Sequence, residues 1–249
     1  MRNILTAFAL TLCVMTEVAE ASNGFVQTLG RAFDLKSKQP LYNEIHCLSN
    51  DALTREVIYR DNKGQLIAHK VLSYQTGPTT PSFVQQNFYS REATAIELND
   101  NELTLTTTKE GQQESQKIVS IQPSAALPVV IDAGFDAFVT RHWDLLMAGE
   151  SKSFQFPFAA HESMFELRLS SSNCKYDTAT DQCFILEMNN WFVRMLADPI
   201  ELGYDAKLRR LSRYRGLSNI GDANGDALVV DIRYDYQKMP NSACKVGDM

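Results

Sequence analysis

The stretch 228-LVVDIRYDY-236 decides the fold class. Leu228, Val230, Ile232, Tyr234 and Tyr236 alternate with Val229, Asp231, Arg233 and Asp235. A period of two sends successive side chains to opposite faces of an extended chain. The pattern recurs upstream. Phe165, Leu167 and Leu169 alternate with Glu166, Arg168 and Ser170, and Leu103 and Leu105 alternate with Thr104 and Thr106. Phe154, Phe156 and Phe158 fall on one face, either side of Pro157. One apolar and one polar face is the signature of antiparallel strands laid over a core.

Turn signals separate these runs at short intervals. Asp61-Asn62-Lys63-Gly64 joins Glu56–Arg60 to Gln65–Leu72, and Asn99-Asp100-Asn101 joins Thr94–Leu98 to Glu102–Lys109. Glu110-Gly111 begins the return to Gln116–Ile121, and Asn224-Gly225 precedes the final strand. The count is roughly ten strands, mostly in consecutive hairpins. One helix interrupts them. Asp132 is its candidate N-cap and Gly149 its C′ residue. Phe135, Phe138, Val139, His142, Leu145 and Leu146 recur between them at helical spacing. Asn190–Leu196 reads as a shorter helical turn or a strand. Thr76-Gly77-Pro78-Thr79-Thr80-Pro81 is the most loop-like segment, linking two halves of one sheet. The expected fold is mainly β (α+β): a large curved antiparallel sheet or partly open barrel with one main helix packed on it.

The N-terminus has the parts of a secretory signal. Arg2 is positive, Ile4 to Met15 is apolar, and Ala19-Glu20-Ala21 offers small residues before a cleavage at Ser22. The apolar run is about 12 residues where a bilayer span needs roughly 20, so no transmembrane anchor is expected. Leu12 before Cys13 departs from a lipobox, which wants a small residue there. Residues 1–21 are read as the signal peptide and 22–249 as a single β-rich domain, large enough to be stable without a metal. The formal net charge of −6 argues against a nucleic-acid partner. None of the asparagines begins an Asn-x-Ser/Thr sequon, which leans toward a bacterial periplasm.

After cleavage Cys47, Cys174, Cys183 and Cys244 remain, an even set that favours disulfides in an exported chain. The polar turn between Cys174 and Cys183 suits local pairing, which leaves Cys47 for Cys244. None has Cys-x-x-Cys spacing, so neither a redox enzyme nor a zinc site is indicated.

Motifs for catalysis are sparse. Asp222-Ala223-Asn224-Gly225-Asp226 begins like a calcium loop, but Ala227 and Arg233 stand where glycine and glutamate are required. Of His46, His69, His142 and His161, no two have local metal-pair spacing. Gly216-Leu217-Ser218-Asn219-Ile220-Gly221 is one residue too long for a nucleophile elbow. No phosphate-binding glycine loop is present, and no cofactor, metal or catalytic residue is assigned. Two features suggest binding. Phe154, Phe156, Phe158 and Phe165 can line one face of a curved sheet, either as core or as an apolar groove. Lys207 to Arg215 is strongly basic. On a strand, Arg209, Arg213 and Arg215 would share a face with Leu211 and attract anionic head groups, or guard an edge.

Gly134-Phe135-Asp136-Ala137-Phe138-Val139, then His142-Trp143-Asp144 and Gly149, resembles a segment of uncharacterised exported β-rich proteins of proteobacteria. So do Pro199-Ile200, Tyr204-Asp205 and Tyr214-Arg215-Gly216-Leu217-Ser218-Asn219-Ile220. That resemblance implies no activity. More distantly the chain is similar to periplasmic lipoprotein carriers, in which helices lid a curved antiparallel sheet. The expectation is a periplasmic binding or carrier protein for an apolar or amphipathic ligand such as a lipid or lipoprotein. One alternative is an envelope structural or assembly factor that binds a protein. Another is a hydrolase whose site assembles from distant positions.

Overall fold

The computed structural model describes residues 25–122, 124, 126–189, 198–222, 224–236 and 244. The expected signal segment and the Asn190–Leu196 turn lie outside the described residues.

Among the described residues fourteen strands form one antiparallel sheet. Eight come first: β1 (Phe25–Asp34), β2 (Pro40–Leu48), β3 (Thr54–Asp61), β4 (Leu66–Ser73), β5 (Ser82–Asn87), β6 (Glu92–Asn99), β7 (Glu102–Lys109) and β8 (Ser115–Ser120). Two helices follow, α1 (Gly134–Arg141) and α2 (Trp143–Met147). The chain returns through β9 (Lys152–Phe158), β10 (Ser163–Ser172), β11 (Asp181–Met188), β12 (Ile200–Asp205), β13 (Arg210–Gly221) and β14 (Ala227–Asp235). Every expected hairpin is present. The strand count exceeds the expected ten because weakly alternating segments such as β5 and β12 also pair.

Each strand pairs with its sequence neighbours except at two places: β8 and β9 do not pair, and β1 pairs with β14 as well as with β2. The described termini therefore meet in mid-sheet, and β8 and β9, joined by the helical segment, become its two edges. Right-handed twist curls so wide a sheet. A 3₁₀ turn at Ala159–His161, between β9 and β10, reaches the β7–β8 side, where Thr107 Oγ1 on β7 donates to Ala159 O at 2.9 Å. Part of the β9 edge is covered by a parallel bridge from Val129 to Gln155. Val130 N–H donates to Gln155 O, and Gln155 N–H to Pro128 O, both at 2.9 Å. The result is a barrel-like sheet with no strand ladder between β8 and β9 among the described residues.

The inner face holds two apolar cores. Tyr42, Tyr59, Leu72, Leu103, Leu105 and Val230 belong to the first. The second lies between α1–α2 and β9–β13, with Phe138, Trp143, Leu146, Phe154, Phe184 and Tyr204 among its members. Tyr214 and Tyr234 pack against both.

The helix differs from expectation in two ways. It is broken at His142 (φ −101°, ψ 12°), and beyond the break Trp143 is buried while Leu145 is exposed. Asp132 does not cap it. Ala133 occupies the cap position without a side-chain bond, and the Asp132 carboxylate instead meets Lys70 Nζ at 2.7 Å. A buried lysine left unpaired would be costly, and Asp132 answers that need. Gly149 does end α2, at φ +85°. Gly134 starts α1 against the Thr76–Pro81 loop, where a Cβ would lie 2.2 Å from Thr79 O. That loop connects the adjacent strands β4 and β5 and supports the helix start.

Both expected disulfides form, Cys174–Cys183 and Cys47–Cys244. The first closes a separation of 9 residues and the second one of 197. In a chain-entropy account the longer loop contributes more. Replacing Cys47 and Cys244 with serine should lower unfolding free energy by about 2–5 kcal/mol in urea titration. The Cys174→Ser/Cys183→Ser pair should lose less, and the opposite ranking would contradict this account.

Candidate functional site

Alternation places Phe154, Phe156 and Phe158 of β9 and Phe165 of β10 on the inner face. Cross-strand register sets Phe165 opposite Phe156. Their rings form a ladder. Phe154 to Phe156 is 6.3 Å, Phe156 to Phe158 5.0 Å, and Phe158 to Phe165 5.1 Å. Phe154 is 1% exposed and stacks on Phe138 of α1 at 4.7 Å, while the other three are half-buried. The ladder thus runs from under the helix toward solvent. Between α1 and the sheet, Phe135, Phe138, Val139, Phe154, Leu169, Leu186 and Leu202 line an apolar seam with no room for a water molecule.

One polar group of α1 faces this apolar layer. Asp136 sits near Tyr204, which is fully buried and ringed by Trp143 and Phe184 at 6.0 and 5.7 Å. Asp136 Oδ1 is sealed from solvent, and among the described residues neither it nor the Tyr204 hydroxyl has a well-formed hydrogen bond. Burial raises the Asp136 pKa, and the Tyr204 hydroxyl and the Arg55 charge only partly offset that. Burial, then the charge of Asp136, pushes the Tyr204 hydroxyl well above its ordinary value.

The basic segment does not make the expected stripe. Arg209 lies in the β12–β13 turn at φ +50°, not on the strand. It pairs with Asp144 of α2 at 3.0 Å and lies over Trp143. A bulge sets Leu211 opposite Tyr204 but Arg213 opposite the preceding residue, Gly203. The extra residue flips the face, so Leu211 joins the inner core while Arg213 and Arg215 point outward. There Arg213 makes two bonds to Asp231, at 2.7 and 2.6 Å, and Arg215 reaches Glu201 at 3.2 Å. Asp231 is fully buried beneath the arginines. Burial raises its pKa, but the Arg213 bonds and the charges of Arg213, Arg233 and Arg215 outweigh it and hold the carboxyl low.

Sequence reasoning missed a polar cluster inside the first core. Glu44 on β2 is buried, with His46 Nε2 at 3.0 Å and Tyr234 Oη donating at 3.2 Å. Tyr42 Oη meets Ser218 Oγ at 2.7 Å, and Gln85 Nε2 donates to Asn219 O at 2.8 Å. Gly30 opens the space for Glu44, since a Cβ there would lie 2.9 Å from the Tyr234 ring. Lys70, 3% exposed at its side chain, completes the set with Asp132. The one sequence signal was a charge at an inward alternation position, as at Glu44 and Lys70. Among the described residues no group of three or more His, Cys, Asp or Glu could hold a metal ion.

Two predictions follow from these buried charges. Lys70→Met should destabilise by about 3–5 kcal/mol in denaturant titration, because Asp132 is left unpaired. The double variant Lys70→Met/Asp132→Leu should recover much of that loss. For Asp231, a depressed folded pKa contributes stability above the unfolded value near 3.9 that is lost as pH falls through the folded one. Asp231→Asn should therefore lower Tm at pH 7 and flatten its fall below about pH 4.

No protein-family model matches this chain. No curated protein matches it either. Among solved structures it is similar to a β-barrel-like protein from Brucella abortus, a domain of unknown function designated DUF1849. The two are 8% identical with a TM-score of 0.43, over 86% of this chain and 97% of that one.

Proposed function

We propose that this protein is an exported, periplasmic binding or carrier protein that takes the apolar part of a lipid-like ligand on the aromatic inner face of β9 and β10. In this reading α1 and α2 are the cover. The observation that carries it is Asp136, a carboxyl buried between α1 and a largely aromatic layer, whose Oδ1 makes no well-formed hydrogen bond and which Tyr204 and the Arg55 charge only partly answer. A helix that belongs permanently to a core carries apolar groups on its packed face. A carboxyl buried there weakens the cover and favours its release.

The seam has no room for a water molecule, let alone for a ligand that needs roughly 300 Å³ or more, so uptake requires the cover to lift. The cover consists of an eight-residue and a five-residue helix, each too short to persist without packing. When it lifts, Phe154 joins Phe156, Phe158 and Phe165 as a continuous apolar surface. Arg209 stands beside α2 and is placed to meet a head group. Arg213 and Arg215 face the other side of the sheet and have no part in this reading.

Native mass spectrometry of protein purified from its own host, before and after denaturation, tests the proposal. The expected result is a mass excess that is lost on denaturation and identified as lipid. Asp136→Asn should tighten the cover, raising Tm at pH 7 and slowing uptake by delipidated protein. The stability gain should vanish below about pH 4, where the raised carboxyl is protonated in both folded and unfolded states. Delipidated protein that takes up no envelope lipid or lipoprotein would sink the reading.

A second reading, an assembly factor that binds a protein partner, has its own support. β8 is an edge strand with Ile118 61% exposed, and a free edge can accept another strand. A partner crosslinked at β8, with no bound lipid, would favour it.

A further inference from the structure

Three buried polar atoms that make no hydrogen bond among the described residues lie around the start of α1: Asp136 Oδ1, Tyr204 Oη and Arg55 Nε. Arg55 stands on β3 directly opposite Leu72 of β4, and alternation gives it the face of Val57 and Tyr59. Those three neighbours belong to the first core, so the Arg55 side chain is on the inner face of the sheet. Its guanidinium carbon lies 5.6 Å from the centre of the Tyr74 ring, which packs on the same core. Among the described residues Arg55 makes no ion pair. Its charge is close enough to Asp136 to pull that carboxyl's pKa down, yet no ion pair joins the two.

Tyr236, just beyond β14, ties these groups to one place. Burial raises its hydroxyl pKa, the Asp136 charge adds to that, and the Arg210 and Arg55 charges oppose it. Its Oη donates to Leu211 O at 2.7 Å, and the Arg210 guanidinium lies over its ring at 4.2 Å. A donor sealed from water without an acceptor is costly, and an apolar residue such as Val57 fills an inward position on the same strand without that cost. An arginine at position 55 therefore calls for an acceptor. In the closed form Asp136 supplies negative charge nearby but no bond. Asp136 rides on α1 while Arg55 belongs to β3, so lifting the cover parts them and leaves the guanidinium facing the opened space.

We propose that Arg55 is the head-group contact of the carrier site and selects amphiphiles whose head is an oxyanion, a carboxylate or a phosphate. This rests on the carrier reading. With the cover lifted, the oxyanion takes the place that Asp136 holds in the closed form, and the tail lies on the aromatic face that the same movement uncovers. A guanidinium donates two parallel N–H bonds to such a group, and the Tyr204 hydroxyl, once parted from Asp136, is a further donor. A neutral head gives Arg55 a weaker acceptor, and a cationic head is repelled by it. Arg209 at the rim is exposed and already paired with Asp144, so it discriminates less than a guanidinium on the inner face.

The test is isothermal titration calorimetry of the delipidated protein with lauric acid, dodecyl phosphate, dodecanol and dodecyltrimethylammonium, each below its micellar concentration. At least one of the two anions should bind about tenfold more tightly than dodecanol, and the cation no more tightly than dodecanol. Arg55→Gln should bring that anion down to the affinity of dodecanol while dodecanol itself is unchanged, and Arg55→Lys should keep part of the preference. Arg91→Gln, at an exposed pair with Glu110, should leave all four affinities as they are. The readout is a ratio between ligands, which a general loss of stability does not move, and the ratio for the unaltered protein stands as a test if Arg55→Gln does not fold. Dodecanol bound as tightly as both anions, or an anion preference that survives Arg55→Gln, would overturn the inference and leave the carrier reading standing. No uptake of any of the four would remove both.

Discussion

The pairing of β1 with β14 is the constraint on which the rest of the structure depends. It seals the two ends of the described chain into mid-sheet, six residue pairs from Leu29–Asp235 to Asp34–Val230. The edges then have to be β8 and β9, which are neighbours in sequence. The segment between them joins the two edges and packs on the inner face. That route puts α1 and α2 where the inner face of β9–β13 needs cover. The Cys47–Cys244 bridge reinforces the same closure, since it fastens Cys244, beyond β14, to β2.

Filling the concave side has a chemical consequence. One half is packed by side chains from its own strands, and its charges are internally answered: Glu44 by His46 and Tyr234, Lys70 by Asp132. The other half is packed by two short helices that bring an imperfect fit, Asp136 against Tyr204. A buried network with its groups satisfied rigidifies, whereas a sealed oxygen without a well-formed hydrogen bond is a place where packing yields first. The contrast between the halves gives the covering helices a different standing from the strands beneath them. The convex side follows another logic. Asp231, buried among Arg213, Arg215 and Arg233, binds β13 to β14 through charge.

The strands were legible because alternation is a local property, visible in runs such as Phe165–Ser170 and Leu228–Tyr236. So were the turns, where Asn-Gly and Asp-Asn-Lys-Gly declare their backbone needs. The Phe154, Phe156, Phe158 and Phe165 face was readable for the same reason. The Arg209–Arg215 stripe was not, because a single extra residue between Leu211 and Arg213 reverses every later side chain. Simple alternation cannot register a bulge that is defined by the opposite strand. The break at His142 was hidden likewise. Helical spacing favoured Leu145 for the buried face, but Trp143 offered a larger surface to Phe184 and Tyr204 and took the place.

By itself, the sequence determined the β-rich class, the hairpins, the aromatic face and the cysteines available to bridge. These depend on neighbours a few residues apart, so short-range sterics and alternation suffice to set them. The tertiary structure alone decided which strands became edges and that Lys70 would claim Asp132 from the helix cap. It alone set Asp136 over Tyr204. Those arrangements join residues tens to hundreds of positions apart. They exist only once strand register is set, and register is settled by the whole sheet together.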